Sequence, residues 1–457
     1  MNSGRVTVVG GGLAGSEAAW QLAQQGLEVE LFEMRPKLAT GAHVTADLAE
    51  LVCSNSLGSQ LQDRASGMLM HELGQLGSLL IRVAKAHAVP AGSALAVDRT
   101  GFSQAVTQEL QRHPNIQIRR QEVRQIPDGV AVVATGPLTS EAMAGSLQRL
   151  TGSQHLYFFD AISPIVEVES IDFAVAFRAS RYGRGEMEQG DYINCPLNEA
   201  EYRVFVTELK SAERIELREF EQELKQGVRA GMHQYFEGCL PVEVIAERGE
   251  QALAFGPMRP VGLIDPRRGE QPFAVVQLRQ DDLAGNLFNL VGFQTNLRFP
   301  EQRRVFRLIP GLAQAEFARY GQMHRNTFIN APSVLTPSLQ VVGRPSLYLA
   351  GQITGVEGYL GNIATGWLAG MNAARSWRGE SPWQLPPETM LGALCAYISG
   401  AEPEHFQPMK ANMGILPGLG QPRPRNKRGR AAAYAARGRA VLSQFMREHN
   451  AYSHYKI

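Results

Sequence analysis

Residues 5–33 read Arg5-Val-Thr-Val-Val-Gly-Gly-Gly-Leu-Ala-Gly-Ser-Glu-Ala-Ala-Trp-Gln-Leu-Ala-Gln-Gln-Gly-Leu-Glu-Val-Glu-Leu-Phe-Glu33. Apolar residues alternate up to Gly10, as in a strand, and Ala19, Leu22 and Ala23 then recur at helical spacing. Gly26 closes the helix, Leu27 to Phe32 reads as a second strand, and Glu33 ends it. Strand, glycine turn, helix, strand and terminal acid fall in the register of a dinucleotide cradle. Gly10 permits the tight turn, Gly12 lets backbone approach a pyrophosphate, and Gly15 lets helix and strand pack closely. The free N–H groups of the helix N-terminus face the phosphates. Glu33 accepts from ribose hydroxyls and repels a 2'-phosphate, so FAD or NAD fits and NADP does not. Gly10, Gly11, Gly12, Leu13, Ala14, Gly15 and Glu33 are therefore expected cofactor-binding residues.

At 457 residues the chain exceeds one typical domain, so several domains with sizeable cores are expected. No apolar run reaches the length of a membrane span, and the start lacks the layout of a signal peptide. A cytoplasmic protein without membrane contact is the expectation. Cys53, Cys195, Cys239 and Cys395 lie far apart with no CxxC spacing. That excludes a disulfide framework and a redox pair, and no metal site is expected. The formal net charge of +1 gives no global pull towards nucleic acid. Local clustering does: no acid stands between Glu404 and Glu448, whereas Lys410, Arg423, Arg425, Lys427, Arg428, Arg430, Arg437, Arg439 and Arg447 all do. Such a stretch can neutralise phosphates, and Ala431 to Phe445 reads as a helix. Arg423, Arg425, Lys427, Arg428 and Arg430 are the expected RNA-binding residues. A second basic group, Arg298, Arg303, Arg304 and Arg307, near the end of the insertion, is expected to line the same face.

Two later segments, Gly129-Val-Ala-Val-Val-Ala-Thr-Gly136 and Ser346-Leu-Tyr-Leu-Ala-Gly351, resemble the other fingerprints of two-dinucleotide-fold flavoproteins. This resemblance favours FAD and adds Gly136, Gly351, Gln352 and Ile353 to the cofactor set. Many flavoproteins carry Asp where Gln352 stands. The implied fold is α/β, a Rossmann-like, discontinuous FAD domain with an inserted α+β domain. The expected layout is a first FAD-binding part over 1–139, an insertion on the substrate side over 140–330, a second FAD-binding part over 331–390, and a basic C-terminal segment over 391–457 that packs on the FAD domain and contacts tRNA.

Four segments narrow the resemblance further: Leu51-Val-Cys-Ser-Asn-Ser-Leu-Gly58, Phe236-Glu-Gly-Cys-Leu-Pro241, Tyr320-Gly-Gln-Met-His-Arg-Asn-Thr327 and Ala350-Gly-Gln-Ile-Thr-Gly-Val-Glu-Gly-Tyr359. With the cradle they resemble the folate- and FAD-dependent tRNA uracil-5-methyltransferases, the TrmFO family. The resemblance implies methylation of C5 of the T-loop uridine at position 54 of tRNA. Methylenetetrahydrofolate would be the carbon donor, FAD the cofactor and NADH or NADPH the reductant; no obligatory protein partner is inferred. Cys239 and Cys53 match the family's important thiols. Cys239 would be the nucleophile on C6 of the uracil and Cys53 would sit beside the flavin, which in this family is thought to carry the methylene; the sequence alone does not fix which is which. His324 would face the folate pterin, and Asp98-Arg99 resembles the family's adenine-side segment. Cys195 and Cys395 are expected to be packing residues, and Glu243 a surface carboxylate. Rival readings are an MnmG-like flavoprotein that modifies the wobble uridine and a non-catalytic, flavin-binding RNA chaperone.

Overall fold

The computed structural model describes residues 4–152, 156–215, 240–421 and 424–449, with the side chains of 156–161 and 323–325 excepted. The strand Val6–Val9 forms because every residue but Thr7 is a buried valine, and it occupies the middle of a six-stranded sheet. Parallel to it run Val29–Glu33 and Ile116–Arg120 on one side, and Ala131–Val133 and Arg344–Leu349 on the other. The short strand Gln340–Val341 closes the edge antiparallel. Such a sheet, built of near-continuous Val, Ile and Leu, is buried on both faces.

The helix Leu13–Gln24 crosses from Val6–Val9 to Val29–Glu33 and is buried almost all round. Its partner is Tyr359–Trp377, buried continuously from Leu360 to Ala374. The two helices meet at backbone distance because Gly366 and Gly370 face Ala14 and Ala18, and a Cβ at Gly370 would stand 2.7 Å from the Ala18 carbonyl oxygen. Around this pair lies the larger apolar core, which includes Met143 and Leu147 of the helix Glu141–Thr151. That helix, expected at the start of the insertion, packs with the dinucleotide unit instead. Leu391, Leu394 and Ile398 of the helix Met390–Gly400, and Leu442, Phe445 and Met446 of Lys427–Glu448, also join this core. The C-terminal segment is thus packed against the unit that holds the cradle.

A second core lies under an antiparallel sheet of six strands, with Tyr192–Leu197, Ala274–Gln280 and Leu287–Leu290 at its centre. Its residues run from Val166 to Ala315. The two chain crossings between the units, Leu156–Ala161 and Met323–Phe328, pair with one another antiparallel over six residues. Alternation in the central strands sends Ile193, Val276, Leu278 and Phe288 into this core. It turns Tyr192, Asn194, Gln277, Arg279 and Asn289 to the opposite face. That polar face meets the dinucleotide unit.

Candidate active site

The cleft opens where the parallel strands end. Val6–Val9 delivers Gly10, Val29–Glu33 delivers Glu33, Ala131–Val133 delivers Ala134, Thr135 and Gly136, and Arg344–Leu349 leads to Gly351. Open α/β sheets bind ligands at these carboxyl ends. The cleft encloses about 730 Å³, open mouth included. Gly10, Gly11, Gly12, Leu13, Ala14, Glu33, Gly136, Gly351 and Gln352 line it, joined by Arg35, Glu50, Tyr359 and Asn362. A neighbouring hollow of about 360 Å³ continues past Glu33 between Met34, Glu122 and Thr139.

The glycines act differently. A Cβ at Gly15 would run into the Gly10 carbonyl, so Gly15 serves the packing of helix on strand and does not line the cleft. A Cβ at Gly12 would meet no protein atom within 4 Å: the helix N-terminus there faces open space. Glu33 Oε2 accepts from the Gly11 N–H at 2.9 Å, and Oε1 from the Arg35 N–H and Nε at 2.9 and 3.0 Å. Burial pushes the Glu33 carboxyl up, but the Arg35 charge and these hydrogen bonds outweigh it and hold it below the usual carboxylate range. Arg35 is itself buried and reaches Glu50 Oε2 at 3.0 Å and the Thr45 and Asp47 carbonyls at 3.1 Å, fixing the wall of the cleft.

Cys53 sits at the cleft's edge, half-buried, one residue after the lining Val52. Tyr359 holds it there. The phenolic oxygen accepts from the N–H groups of Cys53 and Ser54 at 2.9 and 3.0 Å, and burial raises the phenol well above its usual range. From the inserted sheet, Arg279 donates to Ser54 Oγ at 2.7 Å and Asn55 Oδ1 at 2.9 Å. Asn55 answers with a bond of 2.8 Å to the Gln280 carbonyl. Arg99 pairs with Asp281 at 2.9 Å and donates to the Leu51 carbonyl at 2.5 Å. The two guanidiniums differ: burial lowers the pKa of Arg279, while Asp281 outweighs burial and raises that of Arg99. Both feel the charge of a Cys53 thiolate.

Several expectations are corrected here. The Arg99 side chain is engaged by Asp281 in the seam between the units, beside Cys53. Asp98 caps the helix Arg99–Arg112 through the Gly101 N–H. Ile353, in the middle of the single turn Gln352–Thr354, is buried in the core. Glu243 is fully buried and accepts from Thr295 Oγ1 at 2.9 Å and the Asn296 N–H at 2.7 Å, with its pKa raised by burial. The second basic group is counter-charged, since Arg298, Arg304 and Arg307 pair with Glu213, Glu208 and Glu316. Cys195 and Cys395 are buried thiols pushed up to about 12 by burial, as suits packing residues. Cys239, Arg423 and the side chain of His324 lie outside the described residues; the backbone of His324 pairs with Asp160 in the crossing ribbon.

The basic segment is helical over Lys427–Glu448, capped by Asn426, which accepts from the Gly429 N–H at 2.6 Å. Arg425, Lys427 and Arg428 are exposed at its start and Arg430 is half-buried, its guanidinium on the Arg425 carbonyl at 3.1 Å. Arg428 approaches Asp63 at 3.3 Å, just after the strand that follows the Cys53 loop. Exposed cations thus begin at Arg425, near the segment that follows the Cys53 loop.

A family model described as glucose inhibited division protein A matches residues 5–381. A curated relative from Thermosynechococcus vestitus is 58% identical over 96% of this chain and 93% of its own length. One from Heliobacterium modesticaldum is 54% identical over 97% of this chain and 98% of its own. Both are named methylenetetrahydrofolate--tRNA-(uracil-5-)-methyltransferase TrmFO. The chain belongs to the TrmFO family. Among solved structures, GidA of Aquifex aeolicus matches with a TM-score of 0.67 at 16% identity, over 96% of this chain and 76% of that one. It is a likeness of fold alone. Sequence reasoning about this TrmFO chain missed Arg35, Arg279 and Asp281 and gave Tyr359 no role. The one signal for Arg279 was the alternation of Gln277, Arg279 and Asp281 with Val276 and Leu278, a polar stripe on an otherwise apolar strand.

Proposed function

We propose that the chain methylates C5 of the T-loop uridine at position 54 of tRNA. In this reading methylenetetrahydrofolate gives the carbon, FAD occupies the cleft and NADH or NADPH is the reductant. As a TrmFO family member it is a methylenetetrahydrofolate–tRNA uracil-5-methyltransferase; the target site, flavin and reductant are the finer part of the proposal. The observation that carries it is the hold of Tyr359, a cleft-lining residue, on the backbone of Cys53.

The residues fit FAD. Gly12 leaves a void at a helix N-terminus, suited to a pyrophosphate. Glu33 presents a carboxylate kept ionised where ribose hydroxyls would lie. Gln352 and Asn362 offer amide groups further along the same cleft. Bound there, the flavin supplies the hydride equivalent that turns a methylene into a methyl group.

The chain's own part begins with a thiolate. C5 of uracil is a weak nucleophile until sulfur bonds to C6, which places the electron pair on C5 as an enolate. C5 would then attack the methylene carbon; loss of the C5 proton would break that carbon's bond to its carrier nitrogen, and addition of the hydride equivalent to the resulting exocyclic methylene would restore the C5–C6 double bond and release the thiolate from C6. Cys239 and Cys53 are the thiols proposed for this chemistry, in line with the family. Arg99 and Arg279 supply positive charge where a Cys53 thiolate would form. The target base must leave its stack to reach them, at a cost of a few kcal/mol.

The test is incubation of the purified protein with unmodified tRNA, methylenetetrahydrofolate and NADH or NADPH, followed by digestion and mass spectrometry. The expected product is 5-methyluridine in the T loop. No product from protein whose flavin is bound and reducible overturns the reading, and flavin-free protein overturns the FAD assignment. Cys239→Ala separates the enzyme from an RNA chaperone: methylation at an undiminished rate removes Cys239 from the mechanism.

A further inference from the structure

The loop joining Phe177–Ala179 to Tyr192–Leu197 carries an aromatic side chain that stands exposed on a left-handed backbone. Tyr182 is 65% exposed and adopts φ 59°, ψ 25°. That left-handed conformation is uncommon for a bulky residue, and surrounding contacts must hold it. They do. The Tyr182 N–H donates to the Gly262 carbonyl at 2.9 Å, and the ring lies so close to Gly262 that a Cβ there would be 3.0 Å from it. The preceding Arg181 is anchored twice, at 2.8 Å to Gln277 Oε1 and at 2.8 Å to the Val261 carbonyl. A rigid root therefore presents an open ring.

Two arginines lie near the ring's root. The Arg184 guanidinium stands 5.9 Å from its centroid, near the outer limit of cation–π attraction, and is exposed. Arg259 is exposed and close enough for its charge to act on Arg181. The loop's acids are Glu186, Glu188 and Asp191. Asp191 is buried and accepts from the Gly92, Glu186 and Met187 N–H groups. Glu188 lines a hollow with Arg178 and Gln280 that includes neither Tyr182 nor Arg184.

The position is as telling as the chemistry. Arg181 leads through Gln277 to Arg279, two residues along the same strand face, and Arg279 holds the residues after Cys53. In the other direction, the Arg184 carbonyl lies against Gly92, and the neighbouring Ser93 carbonyl accepts from the Gln60 N–H at 2.8 Å. Asp63 then meets Arg428 at the start of the basic helix. Short steps of contact thus connect the start of the basic helix with the Tyr182 loop.

An exposed aromatic ring flanked by arginines is the platform on which unstacked nucleic-acid bases lie, worth about 1–3 kcal/mol per base. We propose that Tyr182 stacks on a base of the bound tRNA, with Arg184 and Arg259 on the adjacent phosphates. This rests on the reading of the chain as a tRNA methyltransferase and names a surface of the inserted unit, in addition to the basic helix, that receives the RNA.

The test uses the flavin-loaded full chain and unmodified tRNA transcript, with wild type, Tyr182→Phe, Tyr182→Leu and Tyr182→Gly. Flavin content and melting temperature report folding. Glycine suits the left-handed backbone, so Tyr182→Gly removes the ring without adding strain. The expected result is a ten- to hundredfold rise, roughly, in the Kd and KM for tRNA with Leu and Gly. Phe stays within about twofold of wild type, and the KM for methylenetetrahydrofolate does not move. Wild-type protein that methylates tRNA while Tyr182→Gly binds and turns it over equally well overturns this inference alone. Wild-type protein that neither binds nor methylates tRNA overturns the functional reading, and this inference with it.

Discussion

Arg279 Nη2 lies 2.7 Å from Ser54 Oγ, so a buried guanidinium of the inserted sheet grips the residue next to Cys53. The contact joins two units whose cores are separate, and it brings positive charge to a thiol. Arg279→Met keeps much of the apolar stem and removes both effects. We expect iodoacetamide labelling of Cys53 to slow about tenfold, since the reactive thiolate loses a neighbouring cation and the loop that carries it loses an anchor. Labelling kinetics read by mass spectrometry decide it; an unchanged rate would show that Arg279 does not act on the thiol.

Gly12 and Gly366 separate cofactor binding from folding. The space beyond Gly12 is empty of protein, and its φ of −74° suits any residue. Gly12→Val should therefore leave the melting temperature of the flavin-free protein unchanged while its flavin content falls to background. Gly366→Val instead drives a side chain into the Ala14 backbone and should destabilise the fold by about 1–3 kcal/mol or more, as overpacked cores do. Urea titration of both flavin-free variants distinguishes them. Equal loss of stability would contradict the void at Gly12.

Glu72 makes stability depend on pH. It is fully buried beneath the helix Met390–Gly400, whose Met390 and Leu391 N–H groups it accepts at 2.8 and 3.0 Å. Burial outweighs those bonds and raises its pKa from 4.5 to about 7. Between those values the folded protein keeps a proton that the unfolded chain has released. Stability is then fully present below the unfolded pKa, falls as pH rises from about 4.5 to about 7, and levels off above, by a few kcal/mol at most. Glu72→Gln should flatten that slope in urea titrations run across this window. A variant with the wild-type slope would show that Glu72 titrates normally.

What could be read from the sequence was what neighbours along the chain decide. The cradle from Val6 to Glu33 is local, and so its strands, helix and acid appeared in order. The helix expected over 431–445 extends to Lys427–Glu448 because Asn426 caps it and its buried face, from Ala435 to Met446, reaches the core. The errors share a cause: the deciding partner lies far along the chain. Arg99 was read without its partner because Asp281 is 182 residues away. Glu243 was expected at the surface because its donors, Thr295 and Asn296, come about fifty residues later. Tyr359 stood inside a recognised motif, yet only its closure on Cys53, 306 residues earlier, gives it a task.

The pairing of Leu13–Gln24 with Tyr359–Trp377 also constrains the order of assembly. A ribosome delivers the first helix about 350 residues before the second, and until then its Ala14–Ala18 surface has no partner. The inserted unit, by contrast, owns its core and enters and leaves through one ribbon, so it can complete itself while the cradle waits. The glycine turn is therefore among the last parts to gain its full packing, and a nascent protein cut short before Tyr359 would leave the Ala14–Ala18 face of its first helix exposed.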